Sequence, residues 1–168
     1  SNLNFEFVLV EDGSTDGTKE LIRTLENKYP IVNLKSEENR GYSKAVLDGI
    51  YHAKNKYICC IDGDNQIRVE SLIQNIQNIP KEREFVIGKR SPRVDPLKRI
   101  IYSKLFKLIH DMIIHSGLSD PSCPFVIGRK EDFFKLPKKL LLQMREGFWW
   151  GFVAVCKKKK INLREVEV

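Results

Sequence analysis

Apolar and polar positions change period repeatedly along this chain. Residues 5–10 (FEFVLV) form a short apolar run that stops at the turn-rich EDGSTDG, the pattern of a buried strand followed by a loop. From Asp16-Gly17-Thr18 the spacing becomes helical, with Leu21, Ile22 and Leu25 on one face as far as Tyr29, and Pro30 ends the element. Residues 31–34 form the next strand. Residues 43–53 are helical, with Ala45, Val46, Gly49, Ile50 and Ala53 along one side. Residues 57–61 give a third strand, 69–79 a helix with Leu72, Ile73, Ile76 and Ile79 on one side, and 85–88 a fourth strand. The second half is less regular. It predicts a long helix over 96–116, the loop SDPSCPF, a short apolar run at 125–128, and helices at 130–136 and 149–158. The alternating INLREVEV at 161–168 reads as a half-buried strand.

Strands alternating with helices of about ten residues predict right-handed βαβ units. The fold class is α/β, with a mainly parallel twisted sheet flanked by helices. No repeat, linker or low-complexity segment interrupts it, so residues 1–168 are expected to form one domain.

Composition narrows the picture. A hydrophobic share of 42% is that of a globular protein, and no apolar run approaches the roughly 20 residues needed to cross a bilayer. The opening SNLN is not a signal peptide. A net charge of +7 favours anionic partners such as nucleotides, phosphates or an acidic membrane surface. Lys157-Lys158-Lys159-Lys160 is the clearest cluster, supported by Lys138-Lys139 and Lys98-Arg99, although such a run also suits a solvated helix end. No RNP-type aromatic-basic motif is present, so nucleic acid is not an expected partner. Cys59, Cys60, Cys123 and Cys156 contain no CxxC pair and read as free thiols in a reducing compartment, which suits the cytoplasm. His52, His110 and His115 lack metal-ligand spacing and read as structural or surface residues.

Two strands end in acidic, glycine-containing loops: VLVEDGSTDGT and CCIDGDNQ. In open α/β sheets ligands bind beyond the carboxyl ends of the strands, so both loops are expected on one edge. Gly13 and Gly17 permit tight turns, and Asp16 or Thr18 can cap the helix that follows. Glu11 and Asp12 can also present carboxylates to the base and ribose of a nucleotide. Asp62 and Asp64 fall on one side of an extended chain, where hard cations such as Mg²⁺ or Mn²⁺ take carboxylate and phosphate oxygens. Gln66 can add a neutral carbonyl ligand. Neither GxGxxG nor GxxxxGK[ST] occurs, so neither dinucleotide binding nor a P-loop is indicated. Trp149 and Trp150 suit stacking on a sugar or lipid, and equally packing at a helix start.

Four blocks then stand in order: VEDGSTDGT, ENRGYSKAVLDGIYHAKNKYICCIDGDNQ, DPLKRIIYSKLFKLIHDMIIHSGLSDPSCPF and GFWWGFVAVCKKKKINLREVEV. Together they resemble a family 2 glycosyltransferase with the GT-A fold, nearest to the polyprenyl- and dolichyl-phosphate sugar transferases. The resemblance implies an inverting, Mg²⁺- or Mn²⁺-dependent enzyme that moves a sugar from a GDP- or UDP-linked donor to an acceptor, a polyprenyl phosphate. It implies nucleotide-sugar contacts at Glu11, Asp12, Asn39, Gly41, Asp62 and Asp64, with Arg40 in the same loop. Asp62, Asp64 and Gln66 match the metal motif, Asp64 and Gln66 being the expected direct ligands and Asp62 the one nearer the ribose. Asp64, Arg90, Asp120 and Arg129 are the implied catalytic positions, and Lys89 precedes Arg90 where the family places a basic residue. Which of Lys89, Arg90, Lys98, Arg99 and Arg129 holds the acceptor phosphate stays open.

The expected location is the cytoplasm, with peripheral attachment at the cytoplasmic face of a membrane. Two departures bear on activity. The family's first strand, ending near P-x-Y-N-E, has no counterpart, so the expectation is a catalytic domain lacking that strand. Gly151 stands where many relatives carry an acidic residue, which removes a candidate base and favours a phosphate acceptor or a weakened enzyme. A catalytically silent nucleotide-binding or membrane-associated module of the same fold is the alternative, and metal-dependent nucleotide binding separates the two. A sugar nucleotidyltransferase would need a glycine-rich, lysine-bearing phosphate loop near the start, which this chain lacks.

Overall fold

The computed structural model describes residues 4–90 and 97–168, with no side-chain description for 69 and 97–99. The residues 1–3, the start of the long helix at Pro96 and the Lys98-Arg99 side chains therefore lie outside the described residues.

Strand β1 (Phe7–Asp12) is followed by α1 (Thr18–Glu26), and β2 (Ile31–Ser36) returns parallel to β1, Phe7 opposite Ile31 and Asp12 opposite Ser36. Helix α2 (Tyr42–His52) leads into β3 (Tyr57–Cys60), α3 (Val69–Asn75) into β4 (Glu84–Lys89), and α4 (Leu97–Ile114) into β5 (Val126–Arg129). Helices α5 (Lys130–Phe134) and α6 (Lys138–Gln143), a 3₁₀ turn at Arg145–Gly147, α7 (Phe148–Lys158) and β6 (Asn162–Glu167) complete the chain. Among the described residues the strands form two sheets, β1-β2 and β3-β5-β4-β6.

The α/β class and the parallel units flanked by helices are as the pattern predicts. Strand β5 is the exception in direction, running antiparallel to both β3 and β4. The cause is the excursion through α4. Gly88 N–H donates to Phe125 O, so the chain re-enters the sheet at the edge where β4 left it and must run backwards. Helix α3 is shorter than the predicted 69–79. It stops at Asn75, whose side-chain amide donates to Ser71 O and to Glu167 O of β6, fixing the helix end before Ile76. Of the predicted apolar side, Ile73, Ile76 and Ile79 are exposed. Helix α6 and the 3₁₀ turn had no counterpart in the pattern.

The four-stranded sheet is covered on both faces, as alternating side chains require. Phe85, Ile87 and Val126 join the larger core, with α2, α5, α6 and α7. Val86 and Ile127 point to a smaller core with Ile67, Cys123 and Phe125. Cys60 and Cys59 follow the same alternation, and none of the four cysteines is in a disulfide. Burial pushes the Cys59 thiol up to about 12, so it stays protonated. The centre of the larger core is aromatic: the Phe85 ring lies edge-on to Phe133 and Phe152, with centroids 4.7 and 4.9 Å away. Gly128 makes room for it, since a Cβ there would lie 2.2 Å from Phe85 Cε1.

Candidate functional site

The carboxyl ends of β1 and β3 supply the two acidic loops. In the first, Gly13 has φ +80° and a Cβ on it would come within 2.6 Å of Asn39 N, so the β1 loop and the 39–41 loop touch backbone to backbone. Asp12 locks that contact. Its carboxylate accepts Arg40 N–H at 3.1 Å and Gly41 N–H at 2.8 Å, while Asn39 Oδ1 also accepts Gly41 N–H at 3.0 Å. The Arg40 guanidinium lies 2.9 Å from Asp48 and 3.4 Å from Asp12. Glu11 is only 3% exposed and faces its own loop, accepting the Ser14 N–H. Burial pushes its carboxyl up, but Ser14 and then Lys19 outweigh that and hold it below its ordinary value. The structure thus brings Glu11, Asp12, Asn39 and Gly41 into one rigid corner.

The second loop opens onto a cavity of about 670 Å³. Asp62, Asp64, Gln66, Arg90 and Ser122 form its charged end, and Tyr102, Leu105, Phe106, Ile109 and Trp150 its apolar wall. Asp62 is held by a relay that crosses the molecule: Trp149 Nε1 donates to the Tyr42 hydroxyl at 2.6 Å, and Tyr42 donates to Asp62 Oδ1 at 2.7 Å. Burial raises the Asp62 carboxyl above its ordinary value and the Asp64 charge adds to this, while Tyr42 and Arg90 oppose it. Asp64 points to solvent and accepts Gln66 N–H at 3.0 Å, a local turn that keeps the loop tight.

Arg90 joins the loop to the far wall. Its Nη1 donates to Gln66 Oε1 at 3.2 Å, and Nε and Nη2 grip Asp120 at 2.7 and 3.0 Å, with Ser122 Oγ at 2.9 Å from Nη2. Asp120 is in turn fixed from behind, since Glu165 Oε1 accepts the Ser119 and Asp120 N–H groups. This network places Asp120 as the holder of Arg90.

Arg129 is not brought to the cavity. It pairs across the sheet with Tyr57 at the start of β3, and its guanidinium lies 3.0 Å from Glu131 and 3.8 Å from Glu82. The antiparallel course of β5 explains this, because its carboxyl end points away from the ligand edge. Lys89 is at that edge but pairs with Glu167 at 3.7 Å. His110, for which the sequence leaves a structural or a surface place open, is buried with Nε2 3.3 Å from Trp150 O.

Three cavity residues escaped sequence reasoning in these roles. Tyr42 sits in the quoted ENRGYSKA block, but nothing local ties its hydroxyl to Asp62. Trp149 suits stacking or packing by its sequence context, whereas in the structure its N–H donates to Tyr42. Glu146 lines the cavity from the 3₁₀ turn, which Ser43 anchors by donating to Arg145 O at 2.9 Å. Gly151 faces Met144: a Cβ there would meet Sδ at 2.4 Å, so methionine fills the space of a side chain.

Asp62 and Asp64 offer the hard oxygens that Mg²⁺ and Mn²⁺ take, and their mutual repulsion is what a cation would relieve. Among the described residues no cluster of three His, Cys, Asp or Glu side chains could hold a metal. Two carboxylates from this chain would leave the rest of such a cation's oxygen shell to other ligands.

Residues 1–136 match the model of the family described as Glycosyl transferase family 2. A dolichyl-phosphate beta-glucosyltransferase of Dictyostelium discoideum is 27% identical over 181 residues, covering 98% of this chain and 54% of that protein. A dolichol-phosphate mannosyltransferase of Pyrococcus furiosus is 33% identical over 136 residues, covering 77% of this chain and 39% of its own length. The chain thus spans about half the length, or less, of the curated relatives it matches. Among solved structures, glucosyl-3-phosphoglycerate synthase from Mycobacterium tuberculosis in complex with phosphoglyceric acid superposes with a TM-score of 0.56 at 15% identity, covering 97% of this chain and 59% of that one. TarS of S. aureus gives 0.54 at 17%, covering 97% and 29%.

Proposed function

The chain belongs to glycosyl transferase family 2 and has the GT-A fold, and from that premise we propose that it transfers a sugar, with inversion, from a nucleoside-diphosphate sugar to a polyprenyl phosphate. The observation that carries this reading is the two-ended cavity, with carboxylates and an arginine at one end and an aromatic, apolar wall at the other. A charged donor and a lipid acceptor need those two environments side by side. The dolichyl-phosphate and dolichol-phosphate names of the relatives point the same way.

In this reading the Asp12 corner frames the nucleoside, and Asp62 and Asp64 would hold Mg²⁺ or Mn²⁺. When bound, the cation supplies positive charge to the leaving group. Arg90 adds a fixed positive charge at the same place, oriented by Asp120 and Ser122. An oxygen of the acceptor phosphate attacks the anomeric carbon from the face opposite the diphosphate. The new carbon–oxygen bond forms as the old one breaks, and the nucleoside diphosphate leaves with the electron pair. The acceptor phosphate, with a second pKa near 6, is largely ionised at neutral pH, so no protein base has to take a proton. The absence of a carboxylate at Gly151 is compatible with that chemistry.

Calorimetric titration with GDP and UDP, with and without Mn²⁺, tests the reading. Saturable binding of one nucleotide that requires Mn²⁺ and is lost in Asp64→Ala is expected. Binding of neither nucleotide under any of these conditions would sink it.

A further inference from the structure

Asp62 lies outside helix and strand, in the loop after β3, yet its carboxylate is held from other elements of the fold. Tyr42 donates to Oδ1 at 2.7 Å, and Oδ2 has no hydrogen-bond partner among the described residues. The direction of this bond is forced. An indole N–H only donates, so Trp149 Nε1, at 2.6 Å, takes the Tyr42 oxygen as its acceptor. The single hydroxyl proton of Tyr42 is then turned to Asp62, which accepts it.

Both ends of the relay are mounted rigidly. Trp149 is buried, and Phe148 and Phe152 stand edge-on to its ring with centroids 4.9 and 5.5 Å away. Tyr42 opens α2 between two anchored neighbours: Gly41 N–H donates to Asp12, and Ser43 Oγ donates to Arg145 O. Its own ring stands edge-on to Phe148 at 6.2 Å. The phenol is therefore a fixed point to which the loop is tied. Ring packing holds α2 against α7 with or without the hydroxyl, so the bond to a cavity-lining carboxylate is left without a purely structural purpose.

We propose that Tyr42 is a positioning residue for Asp62, kept in place by Trp149: it occupies Oδ1 and leaves Oδ2 to take a divalent cation in the cavity. This rests on the functional reading above and deepens it by naming two residues behind a cation-holding carboxylate. A bond to one carboxylate oxygen fixes the plane of the group, and with it the place of the other oxygen. Partners of this kind typically contribute about 10–100-fold to metal affinity. Trp149 acts only through Tyr42, because its N–H ends on the phenol oxygen.

Calorimetric titration with GDP and UDP across a Mn²⁺ series tests this. Tyr42→Phe keeps the ring and removes the hydroxyl. The Mn²⁺ concentration for half-maximal nucleotide binding should rise about tenfold or more, and saturating Mn²⁺ should restore the wild-type stoichiometry. Trp149→Phe lets the hydroxyl turn away and should raise the midpoint about threefold. The double variant should match Tyr42→Phe, since both changes act at one oxygen. Tyr51→Phe, on the same helix with its ring stacked on Phe134, should behave like the wild type.

An unmoved midpoint in Tyr42→Phe, losses that add in the double variant, or an equal shift in Tyr51→Phe overturns the proposal. So does a Tyr42→Phe loss that no Mn²⁺ concentration restores, which marks a role in the fold alone. If Tyr42→Phe does not fold, Trp149→Phe carries the test, and no rise in its midpoint overturns the assignment. Wild-type binding that does not need Mn²⁺ removes this assignment alone, and binding of neither nucleotide removes the functional reading with it.

Discussion

Arg90 and Asp120 face each other through two nearly parallel hydrogen bonds, Nε to Oδ2 at 2.7 Å and Nη2 to Oδ1 at 3.0 Å. The fork does two jobs. It fixes the guanidinium that also reaches Gln66 in the loop after β3, and it neutralises a carboxylate that is only 4% exposed.

Arg90→Lys keeps the charge and loses the fork, because an ammonium cannot present two parallel donors. Asp120 then keeps a buried charge with poorer partners. We expect unfolding stability to fall by about 1–3 kcal/mol in urea titrations, and nucleotide affinity to fall by about tenfold. Unchanged affinity would show that Arg90 serves the fold and does not touch the donor.

Asp62 makes a pH prediction whose sign runs against the usual carboxylate. Its folded-state pKa is raised, chiefly by burial and then by Asp64. The charged form is therefore disfavoured on folding. Its contribution to stability is fully present below the unfolded value and is lost as pH rises through the folded one. Asp62→Asn can still accept from Tyr42, so at neutral pH and without metal it should melt at a higher temperature than the wild type. The advantage should shrink as the pH falls from the folded-state value toward about 4 and be gone below it, where the unfolded carboxyl is itself protonated. With Mn²⁺ and nucleotide present the order should reverse, since only the wild type keeps both carboxylates. A variant that melts lower than wild type at neutral pH without metal would refute the repulsion.

Gly13→Ala tests the corner between the two loops. The new Cβ would collide with backbone, 2.6 Å from Asn39 N, at a φ that side chains rarely adopt. No flexible side chain can yield there. We expect a stability loss of about 1–3 kcal/mol together with weaker nucleotide binding, because Asp12, Arg40 and Gly41 must move. Gly17→Ala is the comparison: its φ of +86° carries the same conformational strain, but its Cβ would meet nothing within 4 Å. A similar stability cost with nucleotide affinity intact at Gly17, and affinity lost at Gly13, would assign the effect to the loop contact.

Much of this was legible in the sequence because short apolar runs bounded by Gly and Asp constrain local structure strongly. Strands β1 to β4 follow directly from them, whereas the expected single sheet edge does not, since β1 and β3 lie in two sheets and Asp12 and Asp62 are linked only through Gly41 and Tyr42. What was not legible depends on direction or on distance. Nothing in the run at 125–128 tells which way β5 points, and with that direction goes the position of Arg129. Trp149 donates to Tyr42 across 107 residues, a contact no local pattern encodes.

Glu146 decides between two kinds of acceptor. It lines the cavity on the 3₁₀ turn ahead of α7, where Ser43 pins the backbone, and Gly151 nearby offers no carboxylate. An alcohol acceptor must lose its proton as it attacks, and a positioned base contributes about 10²–10⁴-fold to such a step. A phosphate acceptor is already ionised at neutral pH and needs no such help. With a polyprenyl phosphate as acceptor, Glu146→Gln should keep transfer within about threefold of wild type, the change expected from altered wall polarity alone. The rate of both proteins should fall together below about pH 6, as the acceptor's own phosphate takes up its second proton. A loss of about 10²-fold or more in Glu146→Gln, with nucleotide binding intact, would instead make Glu146 a general base and an alcohol the acceptor.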